Sequence, residues 1–218
     1  MSEDQSRATS PLRALVSRQV WEGLVSYPAQ TFLAGRALLR QGCKGTHVLA
    51  LVDGLVKVVR TDPDGRRRVL AFRGSGEVLG EMAVQCASGR LADVWAMRDC
   101  KATIIPAADF RRLMHESHLA LPVAAMATHR LREQTEIYEG PVHRRLALTL
   151  LRLVEVSGGQ HSFVLTREDL AQHIDVGRKA VSQALDRLGP DQVSAGKSRI
   201  DVVSVERLRE TVAGRSGT

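Results

Sequence analysis

The sequence predicts an α+β fold with an antiparallel β-domain, a long helix and a winged helix-turn-helix, in that order along the chain. Three observations predict it. Short strand patterns separated by glycine-containing turns fill residues 31–105, a helical pattern runs from Leu119 to Tyr138, and residues 166–188 form two short helices joined by a tight turn. Strands therefore precede helices instead of alternating with them, which favours the α+β class.

The composition is that of an ordinary globular chain, with 44% hydrophobic and 25% charged residues among 218. No apolar run approaches the roughly 18 residues of a membrane span, and the N-terminus has no signal-peptide character. We therefore expect a cytoplasmic protein with no membrane partner. Cys43, Cys86 and Cys100 form no CxxC motif and no even disulfide framework, which fits a reducing compartment. The net charge of +7 favours a polyanionic partner.

Residues 1–18 are polar and are predicted to form an N-terminal arm, either loose or a short helix. The β-domain that follows has many short strands, which indicates a sandwich or barrel. Asp53-Gly54 and Asp64-Gly65 are its best hairpin-turn signals. The basic run 66–68 is interpreted as a solvated hairpin tip, with a phosphate or partner contact as the alternative.

The long helical pattern ends at Gly140-Pro141, which marks the domain boundary. Within it, Ala124, Leu131 and Tyr138 are seven residues apart and predict a weak coiled-coil seam for a second copy of the chain. The alternative is a single helix that packs on its own β-domain. Residues 142–156 form a further amphipathic pattern with Leu146, Leu150, Leu153 and Val154 on its inner face.

The segment 166–188 has the spacing of a helix-turn-helix. Thr166 is a good N-cap with Asp169 three residues later, and Asp175 stands at the turn, where a left-handed backbone is needed. The second helix would bury Val181, Leu185 and Leu188, and its other face would carry Arg178, Lys179, Ser182, Gln183 and Arg187. These long donors suit bases and phosphates in a major groove.

The flanking segments strengthen the prediction of DNA binding. A strand pattern at 161–165 precedes the two helices, and a hairpin pattern around Val193 and 199–203 follows them, which is the order of a winged helix. The alternative is a helical hairpin with a solvated polar face. Residues 166–218 hold nine basic and eight acidic side chains. DNA binding would therefore depend on where the basic groups point and not on bulk charge.

Three segments resemble the CRP/FNR family of bacterial transcription regulators: GCKGTHVLALVDGLVKVVRTDPDGRRRVLAF, LGEMAVQCASGRLADVWA and TREDLAQHIDVGRKAVSQALDRL. The resemblance implies a β-roll or jelly-roll effector domain at 19–118, a dimerisation helix at 119–139 and a winged helix at 140–218. It also implies a homodimer that binds a palindromic operator in double-stranded DNA under effector control, and that contacts RNA polymerase if it is an activator.

In that family the second segment is a phosphate-binding cassette. The resemblance implies that Gly80 and Glu81 begin a short helix, that Glu81 accepts the ribose hydroxyl of a cyclic nucleotide, and that Arg90 pairs with its phosphate. It places Thr135 at the position that contacts the purine. Met82, Leu91 and Ala92 complete the predicted effector site, for which cyclic AMP or cyclic GMP is the candidate ligand.

The cassette departs from the family pattern at Leu91, where a cyclic-AMP-responsive member has Ser or Thr. Four alternatives follow: a different anionic effector, a ligand-free site in which Glu81 and Arg90 form a buried ion pair, a constitutive regulator, and a nucleotide-sensing module that acts on a protein partner. An enzyme is not expected, because the chain has no P-loop, GxSxG or HExxH motif.

The resemblance also assigns DNA contacts. It places Arg178, Lys179 and Gln183 at the base-contacting positions of the recognition helix. Phosphate contacts are expected from Thr166, Arg167, Lys197 and Arg199. Because Lys179 and Gln183 differ from the usual Glu and Arg of the family, we predict an operator that differs from its TGTGA half-site.

No metal site is expected. His115 and His118 are three residues apart on a predicted helix, but without a third ligand a solvated helix face is favoured. Three cysteines are too few for the four thiolates of an iron–sulfur cluster. Cys86 is predicted to be a small buried residue, with a redox-sensitive thiol as the alternative.

Overall fold

In the computed structural model, which describes residues 11–214, the first domain has two antiparallel four-stranded sheets. Its strands are β1 (Ala29–Phe32), β2 (Ala37–Leu39), β3 (His47–Asp53), β4 (Leu55–Thr61), β5 (Arg67–Gly74), β6 (Val78–Leu79), β7 (Asp93–Ala96) and β8 (Cys100–Pro106). One sheet has the order β1-β8-β3-β6 and the other β2-β7-β4-β5. Leucines, valines and alanines of both sheets share one buried cluster, so the predicted β-roll is confirmed.

Four short helices accompany the sheets: α1 (Leu12–Leu15), α2 (Arg18–Val25), α3 (Glu81–Gln85) and α4 (Ala107–Glu116). Leu12 is fully buried and packs with Trp21, Leu24 and Phe110. Of the two alternatives for residues 1–18, the short helix is the one found in the described part, where α1 packs on the β-domain through Leu12. Residues 1–10 lie outside the described part of the chain.

The two predicted hairpin turns have different outcomes. Asp64-Gly65 joins β4 to β5, which pair along their length, as predicted. The prediction for Asp53-Gly54 is wrong, because β3 pairs with β6 and β8 whereas β4 pairs with β5 and β7. At Gly54 the backbone has φ +138° and passes so close to Cys100 that an added Cβ would lie 2.4 Å from its sulfur. The chain thus crosses from one sheet to the other at this point.

The long helix α5 (Ala120–Glu136) packs one face on the β-domain and leaves the other open. Val123 and Met126 are buried, whereas Leu121 and Leu131 are 79% and 66% exposed. The helix ends before residues 137–139, which form a turn ahead of Gly140 at φ +82°. It is therefore slightly shorter than the predicted 119–139.

The second domain contains α6 (Val142–Val156), β9 (Ser162–Val164), α7 (Arg167–Ile174), α8 (Arg178–Leu188), β10 (Val193–Ala195), β11 (Arg199–Val202) and α9 (Val205–Val212). Strands β10, β11 and β9 form a three-stranded antiparallel sheet beside α7 and α8. Leu146, Leu150 and Leu153 of α6 are fully buried in its core, as their spacing predicts. This is the predicted winged helix. No helix within residues 11–214 is long and apolar enough to cross a membrane.

The two domains share a surface that we call the domain seam. It consists of Lys57, Arg66, Val69 and Gly74 on the β4–β5 hairpin and Val156, Asp169, His173 and Asp175 on α6 and α7. A Cβ on Gly74 would lie 1.6 Å from the Val156 carbonyl oxygen, so the two backbones touch. Leu55, Val59 and Phe72 of the β-domain join the hydrophobic core of the second domain. The winged helix is therefore packed on its own β-domain.

Candidate functional site

The first helix of the helix-turn-helix is fixed by a capping box. The Thr166 hydroxyl accepts from the Asp169 backbone NH at 3.0 Å, and the Asp169 carboxylate accepts from the Thr166 backbone NH at 3.1 Å. Lys57 also donates to that carboxylate at 2.5 Å. Burial alone would raise the pKa of Asp169, but the Lys57 and Thr166 hydrogen bonds outweigh it and lower that pKa. The cap thus also belongs to the domain seam.

The turn between the two helices has the predicted geometry. Asp175 adopts φ 51° and ψ 60°, a left-handed conformation that Asp tolerates, and it ends α7. Val181, Leu185 and Leu188 then turn inward and are buried. These contacts hold α8 across α7 at a fixed position.

The opposite face of α8 is open. Arg178, Lys179, Gln183 and Arg187 are exposed and Ser182 is half-buried. Arg178 lies 3.7 Å from the Glu168 carboxylate, a loose and mostly solvated ion pair. The five predicted donors therefore share one accessible helix face, which is the arrangement that a helix in a major groove requires.

The wing supplies a second group of basic side chains. Lys197 and Arg199 are exposed, and Arg199 also pairs with Asp201 at 3.1 Å. Arg167 donates to the carbonyls of Ala195 and Gly196 at 3.1 and 3.0 Å. Its guanidinium thus ties α7 to the wing, a role that the sequence did not reveal.

The cassette begins where predicted. Gly80 has φ +83° and precedes Glu81, the first residue of α3. A Cβ on Gly80 would lie 2.2 Å from Nη1 of Arg90, so glycine is needed both for the backbone and for the space. The buried Glu81 carboxylate accepts from Nη1 of Arg130 at 2.6 Å. It is therefore already paired with a cation from α5.

Arg90 is buried and does not pair with Glu81. Its Nη2 donates to the His47 carbonyl at 2.8 Å and its Nη1 to the Gly80 carbonyl at 3.5 Å. Within the described residues no carboxylate lies within 4.0 Å of this guanidinium, so the alternative of a Glu81–Arg90 ion pair is wrong. Burial lowers the pKa of Arg90. The structure keeps this cation by means of backbone carbonyl oxygens.

The remaining cassette residues form an open rim. Met82 and Leu91 are 55% and 47% exposed, and Ala92 is half-buried. Thr135 is exposed and donates to the Leu131 carbonyl at 3.1 Å. Because it stands five residues after Arg130, it lies about 140° around the helix from the side chain that holds Glu81. Within one chain the structure does not bring Thr135 to the cassette.

Two smaller predictions can be compared with the structure. Cys86 is exposed at the end of α3, so its prediction as a buried residue is wrong, since the cassette helix is only five residues long and its end faces solvent. Cys43 is exposed and Cys100 is buried. Among the residues described, no group of three or more His, Cys, Asp or Glu side chains is arranged to hold a metal ion.

The buried charges around the cassette were not predicted from the sequence. Arg130 also donates to Glu77 at 2.7 Å, and Arg73 lies 2.8 Å from Glu133. Burial would lower the pKa of Arg130, but the Glu81 and Glu77 carboxylates outweigh it and raise that pKa. A signal was present: Arg130 and Glu133 follow Val123 and Met126 at helical spacing, and charges within an apolar stripe indicate buried ion pairs.

Comparisons with known proteins agree with this geometry. The family model of the cyclic nucleotide-binding domain matches residues 29–117, and that of the Crp-like helix-turn-helix domain matches residues 144–211. The "Cyclic AMP receptor protein" of Thermus thermophilus is 28% identical over 212 residues, covering 94% of this chain and 98% of its own. The "cAMP-activated global transcriptional regulator CRP" of Pasteurella multocida is 24% identical over 189 residues, covering 81% and 88%.

Solved structures show the same fold. A CRP/FNR-family transcriptional regulator of Thermus thermophilus superposes with a TM-score of 0.71 at 21% identity, over 87% of this chain and 100% of the other. The c-di-GMP responsive global regulator CLP of Xanthomonas campestris has a TM-score of 0.70 at 18% identity, over 86% and 100%.

The two domain matches and these relatives therefore place the chain among DNA-binding transcription regulators with a cyclic nucleotide-binding-like domain, which is a class of regulators and not of enzymes. The chain belongs to the CRP/FNR family.

Proposed function

We propose that this chain is a cytoplasmic, homodimeric, sequence-specific transcription regulator controlled by a small effector in its β-roll. We place its domain limits at 19–118, 119–139 and 140–218. The observation that carries the DNA-binding part is the open face of α8, on which Arg178, Lys179 and Gln183 are exposed. A polar outer face is ordinary for a surface helix, but here the helix-turn-helix geometry and the basic wing beside it present these donors as binding in a major groove requires.

We propose that Arg178, Lys179 and Gln183 contact base edges, with Ser182 and Arg187 beside them. Arg178 can donate two hydrogen bonds to guanine, Lys179 one to guanine or phosphate, and Gln183 suits adenine. Selection from random duplex DNA by the full chain tests this directly. The expected product is a palindrome whose half-sites differ from TGTGA, and recovery of TGTGA as the optimum would contradict the assignment.

Phosphate contacts are proposed for Thr166, Arg167, Lys197 and Arg199 at the edges of the same surface. Removing one such contact should weaken binding to all sequences alike and reduce the salt slope by about 1. Arg167 is a special case, because its guanidinium holds the wing carbonyls. Its loss should therefore also loosen the wing.

The open face of α5 supports a homodimer. Leu121, Leu131 and Thr135 are exposed on it, and a shallow cavity of about 360 Å³ lies along Thr128, Leu131, Arg132, Thr135, Glu136 and Glu139. A second copy is the expected occupant, since two such helices would bury their apolar side chains together. Two half-sites about one helical turn, ~34 Å, apart would then match the two recognition helices.

The mass of the particle in solution tests this. Light scattering behind a sizing column should give a dimer for the wild type and a monomer for Leu131→Glu. The matched control is Leu33→Glu, which changes a residue of similar exposure, 60%, in the turn after β1. A Leu131→Glu variant that remains dimeric would contradict dimerisation through α5.

For the effector, a cyclic nucleotide is one candidate, because two relatives carry cyclic AMP in their names. Gly80, Glu81, Met82, Arg90, Leu91 and Ala92 would form the site, with Thr135 facing it from a second copy. Binding would require Arg90 to leave the carbonyls of His47 and Gly80 for the phosphate. Calorimetric titration with cyclic AMP and cyclic GMP, with Arg90→Ala as the control, tests it. Micromolar binding that the variant loses supports the assignment.

The second candidate is an effector-independent regulator. It is favoured by Arg90, whose terminal nitrogens already have carbonyl partners, and by Leu91, which offers no donor to a phosphate. This candidate predicts no heat with either nucleotide and nanomolar operator binding by the ligand-free chain. A regulatory module that acts on a protein partner would instead show no salt-sensitive DNA binding. Contact with RNA polymerase is proposed only for promoters that the chain activates.

A further inference from the structure

Buried charges of alternating sign lead away from the cassette. Glu81 pairs with Arg130 at 2.6 Å and Arg130 with Glu77 at 2.7 Å. Arg73 lies 3.8 Å from Glu77 and 2.8 Å from Glu133. All of these side chains are at least four-fifths buried. The series joins α3 and the end of β5 to α5, whose Arg130 is 49 and 53 residues from Glu81 and Glu77 in the sequence.

The series continues into the DNA-binding domain through Arg152 of α6. Its Nη1 donates to the Glu133 backbone carbonyl at 3.0 Å and its Nη2 to the Glu136 carboxylate at 2.6 Å. The Arg152 side chain is 6% exposed, and no group among residues 11–214 forms a hydrogen bond with its Nε. Arg152 of α6 thus holds the C-terminal turn of α5, from which the chain passes into the second domain.

A change at one end of this series should disturb the ion pairs further along it. Removing one partner of a buried ion pair is strongly destabilising, because it leaves an uncompensated buried charge. Arg130 and Arg73 each serve two carboxylates. A movement of Glu81 would therefore require Arg130 to shift toward Glu77, and Arg73 toward Glu133. A network of packed ion pairs carries coupling between two sites when it has two discrete arrangements, and a guanidinium between two carboxylates has two partners to choose between.

We propose that Arg73, Glu133 and Arg152 are positioning residues that couple the cassette to the orientation of the winged helix. The series, which we call the charge relay, comprises Glu81, Arg130, Glu77, Arg73, Glu133, Arg152 and Glu136. This inference rests on the proposed function of the chain as an effector-controlled regulator. It adds a route by which a movement of Glu81 would change the position of α6 and, through α6, the contacts at the domain seam.

A double-mutant cycle between the two ends tests the proposal. Glu81→Gln removes the charge at the cassette, and Arg152→Met removes it at α6. The readouts are hydrogen exchange of the amides of β5 and α7 at the domain seam, and affinity for the selected operator. We expect each single variant to accelerate seam exchange. The acceleration of seam exchange in the double variant should be smaller than the product of the two single accelerations by about threefold or more. Either change alone already interrupts the relay, so the second change adds little.

Controls separate coupling from simple loss of stability. Arg209→Met removes an arginine of the exposed Arg209–Glu206 pair on α9, in the same domain, and its effect should multiply with that of Glu81→Gln. If Arg152→Met fails to fold, Glu136→Gln replaces it in the cycle, since Glu136 is only half-buried and its loss is milder. Arg152→Lys should restore part of the protection at the seam.

The outcomes are distinct. The charge relay is supported if the accelerations caused by the Glu81 and Arg152 variants combine to less than their product while those of the Glu81 and Arg209 variants multiply. Multiplicative effects in both cycles would overturn it. If the chain bound no DNA, the proposed function would fail, and the exchange readout would still decide whether the two domains are coupled.

Discussion

His173 lies at the domain seam, and we predict that it makes the free energy of unfolding of the chain depend on pH. Its Nδ1 donates to the Val69 carbonyl at 2.8 Å, and its ring meets the Phe72 ring edge-on at 4.8 Å. Burial, opposed by the Val69 hydrogen bond and helped by the nearby Arg152 and Arg73 guanidiniums, lowers the pKa of His173 to about 4. The folded chain therefore keeps this ring neutral.

The sign of the effect follows from linkage. Because the folded pKa of His173 is below the ordinary 6.5, the unfolded chain binds more protons as the pH falls. The contribution to stability is complete above about pH 6.5 and is lost progressively toward about pH 4. From pH 7 to pH 5 the free energy of unfolding should fall by about 2 kcal/mol from this residue alone.

Urea unfolding of the wild type and of His173→Asn at both pH values measures this effect. Asparagine can still donate to the Val69 carbonyl but does not titrate. His47 and His143 also have lowered pKa values, mainly through burial, but both remain in the variant and cancel in the difference. Aspartates titrate mostly below this window. Equal loss of stability in the two proteins would refute the assignment of a neutral, buried His173.

Three further predictions follow from burial and contact. Leu150→Ala removes a fully buried side chain of α6 and should cost roughly 2–5 kcal/mol in urea unfolding, whereas Leu150→Met should cost less than about 1.5. Gly74→Ala should separate the domains at Val156, because the added Cβ would lie 1.6 Å from its carbonyl oxygen; unchanged hydrogen exchange at the seam would contradict this. Arg178→Ala should weaken operator binding by about 1–3 kcal/mol and relax one base preference, whereas Lys197→Ala should weaken all duplexes alike in fluorescence anisotropy; the reverse pattern would exchange their assigned roles.

Local patterns were sufficient for much of the fold. The capping signal at Thr166, the left-handed turn at Asp175 and the apolar spacing of α6 each depend on neighbours within one or two turns, and all three agree with the structure. The exposed donors of α8 follow from the same periodicity. Their contacts with DNA stay predictions.

Long-range contacts account for what the sequence did not predict. Asp53-Gly54 has the composition of a hairpin turn, but its strands join different sheets because the core between those sheets decides the pairing. The ion pair of Arg66 with Asp175 joins residues that are 109 positions apart, and no local pattern signals it. The partners of Arg90 could not be predicted from the sequence either, because they are backbone carbonyls and every residue has one.

DNA binding is tested most directly by the salt dependence of binding between the full chain and the DNA duplex that it selects from a random pool. We predict enrichment of a palindrome, with an affinity that falls steeply as salt rises and that Arg178→Ala reduces. No enrichment and no salt-sensitive binding would contradict the claim that the open face of α8 is a DNA-binding surface.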